Sequence, residues 1–315
     1  MAIRTATTSA IGDEVRRGLM RSRRDLREIG FRLALLLTLV LALAILLVLM
    51  FEVVRGAIPA FQERGGEIFE SGYSSLPANA GIKQGVIGSL YLMVFVIVIA
   101  FPLGIGAAIY MEEYARDTRL TRFINTNIRN LAGVPAIVYG ILGLAIFVEL
   151  LGPLTGPGST EGKSLLAGGL TIAIMVLPII IITTAEALRA VPRSIREAGF
   201  GVGATRWEVI RSHVLPNAAP GILTGSVLAM ARALGETAPL IMVGAVTGFL
   251  STRGGLVEQL QQRFTSLPTL IFAYLKKPQA DFQDLASAAI VALMALIFVV
   301  NFAAILLRNR YERKW

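Results

Sequence analysis

The chain has 315 residues, 55% of them hydrophobic and only 16% charged, with a mean hydropathy of +0.67 and a formal net charge of +9. A soluble domain of this size needs more surface charge, so the composition excludes one and points to a polytopic membrane protein. There is no cysteine and a single histidine, His213, which excludes disulfides and a thiolate nucleophile and argues against a structural metal site.

Residues 1–32 form an N-terminal arm rich in Arg and Ser/Thr, expected to lie on the cytoplasmic surface. The apolar stretch after it is longer than a signal-peptide core and no A-x-A site follows, so it is expected to stay as the first span, within 33–54. An exterior loop over 55–84 carries Gly65-Gly66, Gly72, Pro77 and Gly81. The rest, 85–307, holds five further apolar blocks: Gly85–Met111, Leu131–Val148, Ser164–Ala185, Ala218–Leu250 and Leu285–Leu307. Each is close to or above the roughly 20 residues that cross a bilayer core as a helix. Six transmembrane helices and an all-α fold follow, with a short tail over 308–315. Between them, 152–163 reads as a Gly/Pro hairpin, and Leu260, Phe264, Leu267 and Ile271 recur at the spacing of a helix over Glu258–Tyr274 at the outer interface.

The basic residues alternate along the chain. The arm, 112–130, 186–217 and the tail together hold 21 Lys and Arg, whereas 52–84, 149–163 and 251–284 hold eight. This bias places both termini in the cytoplasm and accounts for the basic charge without a nucleic-acid partner. Gly158–Ser164 approaches a phosphate-cradling loop, but Pro157 stands where the first glycine is required and no strand precedes it. It is rejected, and any ATP hydrolysis is expected in a separate subunit.

The cytoplasmic connection 186–216 is longer than a turn. Val191-Pro192 ends the fourth span, Ser194–Ala198 has a short helical pattern, and Gly199 to Gly203 permits a tight turn. Ala204–Val214 then reads as an amphipathic helix with Trp207, Ile210 and Val214 on one side, ended by Leu215-Pro216. Two short helices around a glycine turn form a knob suited to a groove on a partner; the bland reading is a loop lying on the membrane.

The fifth span contains Arg232 and Glu236, spaced i, i+4, with Gly235 between them, Thr237 after them and Pro239 expected to kink the helix. An intramembrane charge costs about 2.5–3.5 kcal/mol on insertion scales and invites a reason. The guanidinium offers paired donors to a tetrahedral oxyanion, with Glu236 occupying them when the site is empty. The residues alone fit equally well a salt bridge that holds helices in register.

Glu197-Ala198-Gly199, Gly203 and His213-Val214-Leu215-Pro216 resemble the EAA loop of ABC importer permeases in full spacing, with Gly199 and His213 as departures. The run Ala231-Arg232-Ala-Leu-Gly-Glu236-Thr237-Ala-Pro-Leu240 resembles the fifth-span signature of the phosphate-specific permeases. The resemblance implies a type I (MetI-like) fold without a catalytic site, cofactor or metal of its own, in the bacterial inner membrane. It implies a second permease, a dimeric ABC ATPase and an external phosphate-binding protein as partners, besides membrane lipid. Carried onto this sequence, Glu197, Ala198, Gly199 and Gly203 form the ATPase contact and turn, and Leu215 and Pro216 set the angle into the fifth span. Arg232, Glu236 and Thr237 line the phosphate pathway. A permease for molybdate or sulfate, or a membrane receptor that binds an ATPase without passing solute, are the alternatives.

Overall fold

A computed structural model describes residues 26–245, 248, 250 and 255–311, and all regular structure among them is helical. Most of the N-terminal arm and the last four residues of the tail lie outside the described residues. The chain divides into two units, residues 1–52 and 53–315. The described part of the first is the start of α1 (Leu26–Arg64), whose apolar window has a mean hydropathy of 3.2. Helix α1 runs ten residues past the expected limit at 54. In the second unit its end is held because Ala57 and Ala60 are buried with Ile68, Ile82, Leu270 and Phe282. Arg64 closes this corner by donating to the carbonyls of Pro77 and Ala80 and to Ser71 Oγ.

Helix α2 (Lys83–Tyr114) crosses as one element interrupted by π turns at Val96–Ala100 and Tyr110–Tyr114. The third span departs from the straight helix expected over Leu131–Val148. Helix α3 (Arg119–Ala132) and α4 (Ala136–Leu150) meet at 103°. Pro135 is the cause: it lacks the N–H that would bond Leu131, and it drives Val134 out of helical backbone angles. Helix α3 is amphipathic and leaves Leu120 and Phe123 exposed. Among the described residues, five helices are long and apolar enough to cross a membrane, or six if the bent pair counts as one span.

Helix α5 (Leu165–Ala190) is the hub, packed against α2, α4 and the later α7. Ser164 Oγ caps it by accepting from the Ala167 amide at 3.2 Å, and Val191-Pro192 ends it as expected. Two thirds of its apolar window is buried, with Ile172, Met175, Val176 and Ile180 in the main core. Helix α6 (Arg193–Gly201), α7 (Arg206–Gly235) and α8 (Ala238–Met242) follow, then α9 (Leu267–Leu275) and α10 (Ala280–Tyr311).

The single interfacial helix expected over Glu258–Tyr274 is not formed. A short helix, Leu256–Leu260, stops, and α9 restarts with Ser266 in a capping box and Pro268 in its first turn. Phe264, Leu267 and Tyr274 are fully buried rather than facing lipid. Tyr274 donates to the Gly81 carbonyl at 2.7 Å, tying α9 to the start of α2.

Candidate functional site

Helix α7 stops at Gly235. Glu236 is extended at φ −78° and ψ 123°, Thr237 is the residue just before α8, and Pro239 is the second residue of that helix. The break thus falls at Glu236–Thr237, just ahead of the Pro239 at which a kink is expected from the sequence. An unbroken helix would need the Pro239 N–H to bond the Gly235 carbonyl, and proline has none; a restart at Ala238 puts Pro239 in a first turn, where no N–H is needed. An interrupted span of this kind concentrates unsatisfied backbone dipoles at membrane depth, the arrangement in which transporters hold charged solutes.

Arg232 lies one turn before the break and reaches forward across it. Its Nε donates to Glu236 Oε1 at 3.2 Å, with the two side chains 36% and 23% exposed. The terminal nitrogens of the guanidinium, Nη1 and Nη2, have no acceptor among the described residues, and Thr237, half-buried and making no capping bond, follows the pair.

One further polar side chain comes to this place and was missed in the sequence. Tyr139 on α4 is buried, donates its hydroxyl to the Leu131 carbonyl at 2.8 Å, and lies within electrostatic reach of Arg232. A lone phenol in an apolar run was the available signal. Helix α4 packs directly on α8, with Gly140 against Pro239, so the bent third span and the broken fifth span support each other.

The 186–216 connection forms the expected knob with different boundaries. Helix α6 continues through Gly199 to Gly201, and the left-handed turn is confined to Gly203 at φ +82°. Thr205 and Glu208 form a capping box that starts α7: the Thr205 amide donates to Glu208 Oε2 at 2.7 Å, and Thr205 Oγ1 accepts from the Glu208 amide. Leu215-Pro216 does not end this helix. A π turn at Ile210–Val214 accommodates Pro216, and the helix passes straight into the fifth span.

The inward stripe is Val209, Ile210 and Val214, whereas Trp207 is exposed. Gly199 turns inward as well: a Cβ there would lie 2.8 Å from Val209 Cγ2, which is why glycine replaces the alanine of the resembled pattern. Glu197, Ala198 and Gly203 face outward, and with Phe200, Trp207 and Val202, which is 84% exposed, they make an apolar knob with charged edges. Gly203→Ala forces a side chain into a left-handed conformation at a cost of about 1–2 kcal/mol. If the knob docks on an ATPase subunit, this change is expected to lower ATPase coupling while shifting the melting temperature of the assembled membrane complex by only a few degrees, which a thermal-shift assay beside an ATPase assay would check.

The knob is fastened by charge. Arg196 Nη2 meets Glu113 Oε1 at 2.7 Å, and Arg196 also donates to the carbonyls of Val191 and Leu188 at 2.9 Å each. Arg189 Nε donates to Glu112 Oε2 at 2.8 Å, and Glu186 accepts from Arg189 and Arg129 at 3.3 Å each. These bonds tie α6 and the end of α5 to the terminal π turn of α2 and to α3. A cleft of about 580 Å³ lies over the clasp, with Glu112, Arg196, Glu197 and Arg206 among its walls.

With this geometry in place, the similarities of the chain become informative. Residues 100–315 match the family described as "Binding-protein-dependent transport system inner membrane component". A probable ABC transporter permease protein, YqgI of Bacillus subtilis, is 34% identical over 55% of this chain and 56% of its own length. The phosphate transport system permease protein PstA of Yersinia pestis is 35% identical over 72% of both chains. The chain thus spans little more than half of the first relative and nearly three quarters of the second. Among solved structures, a chain of a bacterial alginate ABC transporter superposes with a TM-score of 0.61 over 90% of this chain and 96% of its own, at 15% identity. That last likeness concerns the fold alone.

Proposed function

We propose, from the premise that this chain belongs to the family of binding-protein-dependent transport system inner membrane components, that it is a PstA-like permease subunit of an ATP-driven importer of inorganic phosphate. The observation that carries the reading is the guanidinium of Arg232, held by Glu236 through Nε alone, with its terminal nitrogens left open at the break of the fifth span. Paired N–H donors in this geometry suit a tetrahedral oxyanion. The single tether lets Glu236 compete for the guanidinium and keep the anion from being held too tightly to leave.

The partners in this reading are an ABC ATPase dimer resembling PstB, a second permease resembling PstC and an external binding protein resembling PstS. The termini are cytoplasmic. The ATPase receives the knob through Glu197, Ala198, Phe200 and the Gly203 turn. Its closure pushes on α6, and the Arg196–Glu113 and Arg189–Glu112 pairs carry that displacement into α2 and α5. Because α7 stays helical from the knob to Gly235, through the π turn at Ile210–Val214 and past Pro220, the same displacement is carried toward Arg232. Leu215 and Pro216 lie on that shaft and set its direction.

Reconstitution of the four-component importer in proteoliposomes tests the assignment. ATP-dependent uptake of labelled phosphate is expected, with excess sulfate or molybdate competing weakly. Preferential uptake of either competitor would overturn the substrate, and ATP hydrolysis without uptake of any oxyanion would favour a receptor.

A further inference from the structure

Helices α5, α7 and α10 line a cleft of about 770 Å³ that reaches Ala231 but does not include Arg232 among its walls. Leu223, Val227 and Leu228 of α7 and Ile305 of α10 give it aliphatic walls, and Leu228 is exposed. Two polar side chains of α10 interrupt these walls two turns apart. Asn301 Oδ1 and Arg308 Nε are both buried, and neither has a hydrogen-bond partner among the described residues. A buried donor on a permanently charged group costs free energy unless an acceptor comes from outside the chain. The carboxylate at the rim, Glu186, is already engaged by Arg129 and Arg189.

The walls also tell what the occupant is. Helices dock in membranes through small residues that let backbones approach. Here the small residues are consumed inside the subunit: a Cβ on Gly221 would lie 2.7 Å from Ala187 Cβ, and one on Gly225 would lie 2.2 Å from Thr183 Oγ1. Besides Thr224, Ala231 and Ala304, what remains on the cleft side is branched aliphatic (Ile182, Leu223, Val227, Leu228 and Ile305), with a guanidinium at one end. That suits an acyl chain below a phosphate better than the flat face of another helix.

We infer that the α5–α7–α10 cleft seats one anionic phospholipid, its headgroup phosphate on Arg308 and an acyl chain along Leu223, Val227 and Ile305. The orientation proposed above puts this lipid in the cytoplasmic leaflet, and only the choice of leaflet rests on it. Inorganic phosphate shares the headgroup chemistry but would leave the aliphatic walls uncovered. The seat touches α5 and α7, the two helices that flank the knob, so its occupancy bears on the stiffness of the shaft that ends at Arg232.

The assembled importer in phosphatidylcholine nanodiscs, given a trace of phosphatidylglycerol carrying an acyl-chain diazirine, provides the test. After illumination, adducts are expected on residues 223–228 and 301–308. Arg308→Gln is expected to reduce them about tenfold, as for loss of one charge-assisted hydrogen bond. A diazirine phosphatidylcholine should label weakly and be indifferent to that change, and excess inorganic phosphate should not compete. Ala304→Phe, which narrows the cleft without touching charge, should reduce labelling too and covers the case in which Arg308→Gln fails to assemble. Equal labelling by both lipids with no effect of either substitution would overturn the inference. So would displacement by inorganic phosphate, or a photo-crosslinker at Leu228 that captures the second permease instead of lipid.

Discussion

Arg232→Gln is expected to lower kcat/KM for phosphate uptake by roughly 10- to 100-fold, the equivalent of losing one or two charge-assisted hydrogen bonds. The expectation rests on the open Nη1 and Nη2, since glutamine supplies at most one donor group and no charge. Arg232→Lys keeps the charge but loses the planar fork and should fall between the two. A purely bracing role makes a different forecast. If the pair only held α7 at its break, Arg232→Gln and Glu236→Gln would damage transport alike, each leaving one partner alone. In the pathway reading they diverge: Glu236→Gln removes the competitor for the guanidinium, so KM falls together with kcat as phosphate leaves slowly. Initial-rate uptake over a range of phosphate concentrations separates the two, and parallel losses in both variants would sink the pathway role.

The second large effect is expected at the clasp. Arg196→Met removes one partner of a pair whose side chains are only 20% and 10% exposed, and it abandons the Val191 and Leu188 carbonyls as well. Removing one member of a buried pair costs about 3–5 kcal/mol, and the residual exposure puts this case at the lower end. The penalty falls on the joint of α6 with α5 and α2, where Leu188 and Val191 belong to a smaller buried cluster, and not on the main hydrophobic cluster. The measurable outcome is uncoupling: ATP hydrolysis persists while phosphate uptake drops at least tenfold. Adding Glu113→Gln should restore part of the uptake, since it removes the orphaned carboxylate. If Arg196→Met instead abolished hydrolysis and transport together, the clasp would be part of the docking surface and not a transmitter.

Much of this was legible in the sequence, and what was not has identifiable physical causes. The spans could be read because a bilayer demands length and apolarity within one contiguous segment. The knob could be read because its turn, caps and proline act over a few residues. The break in the fifth span could be read only as far as its cause, Pro239, and the bend at Pro135 was not read at all, since hydropathy averages over a window and is blind to where a helix lets go. At Gly199 the reason for glycine is the Val209 side chain ten positions later, which a local comparison reads only as a departure. The clasp was beyond reach: Glu112 and Arg189 are 77 positions apart, and Glu113 and Arg196 are 83, so nothing in the neighbourhood of either charge names its partner. Tyr139 was hidden for the same reason, because its meaning depends on a helix nearly one hundred residues downstream.

The π turns carry a consequence for how this gene tolerates change. Each π turn accommodates one more residue than an α-helical turn would, and one residue is worth about 100° of rotation on a helix. Glu112 and Glu113 sit on such a turn at the end of α2, and Ile210–Val214 is another, at the root of α7. A single-codon deletion in either turn would leave length, hydropathy and composition almost untouched. Within a π turn it removes the extra residue and lets the turn revert to α geometry, so that in α7 Arg232 keeps its face; the same deletion in the α-helical stretch between Leu215 and Arg232 swings Arg232 by about 100° away from its opening. Single-codon deletions at Ile210–Val214 should therefore be tolerated better than single-codon deletions between Leu215 and Arg232, and deletion scanning would chart the helix registers that transport requires.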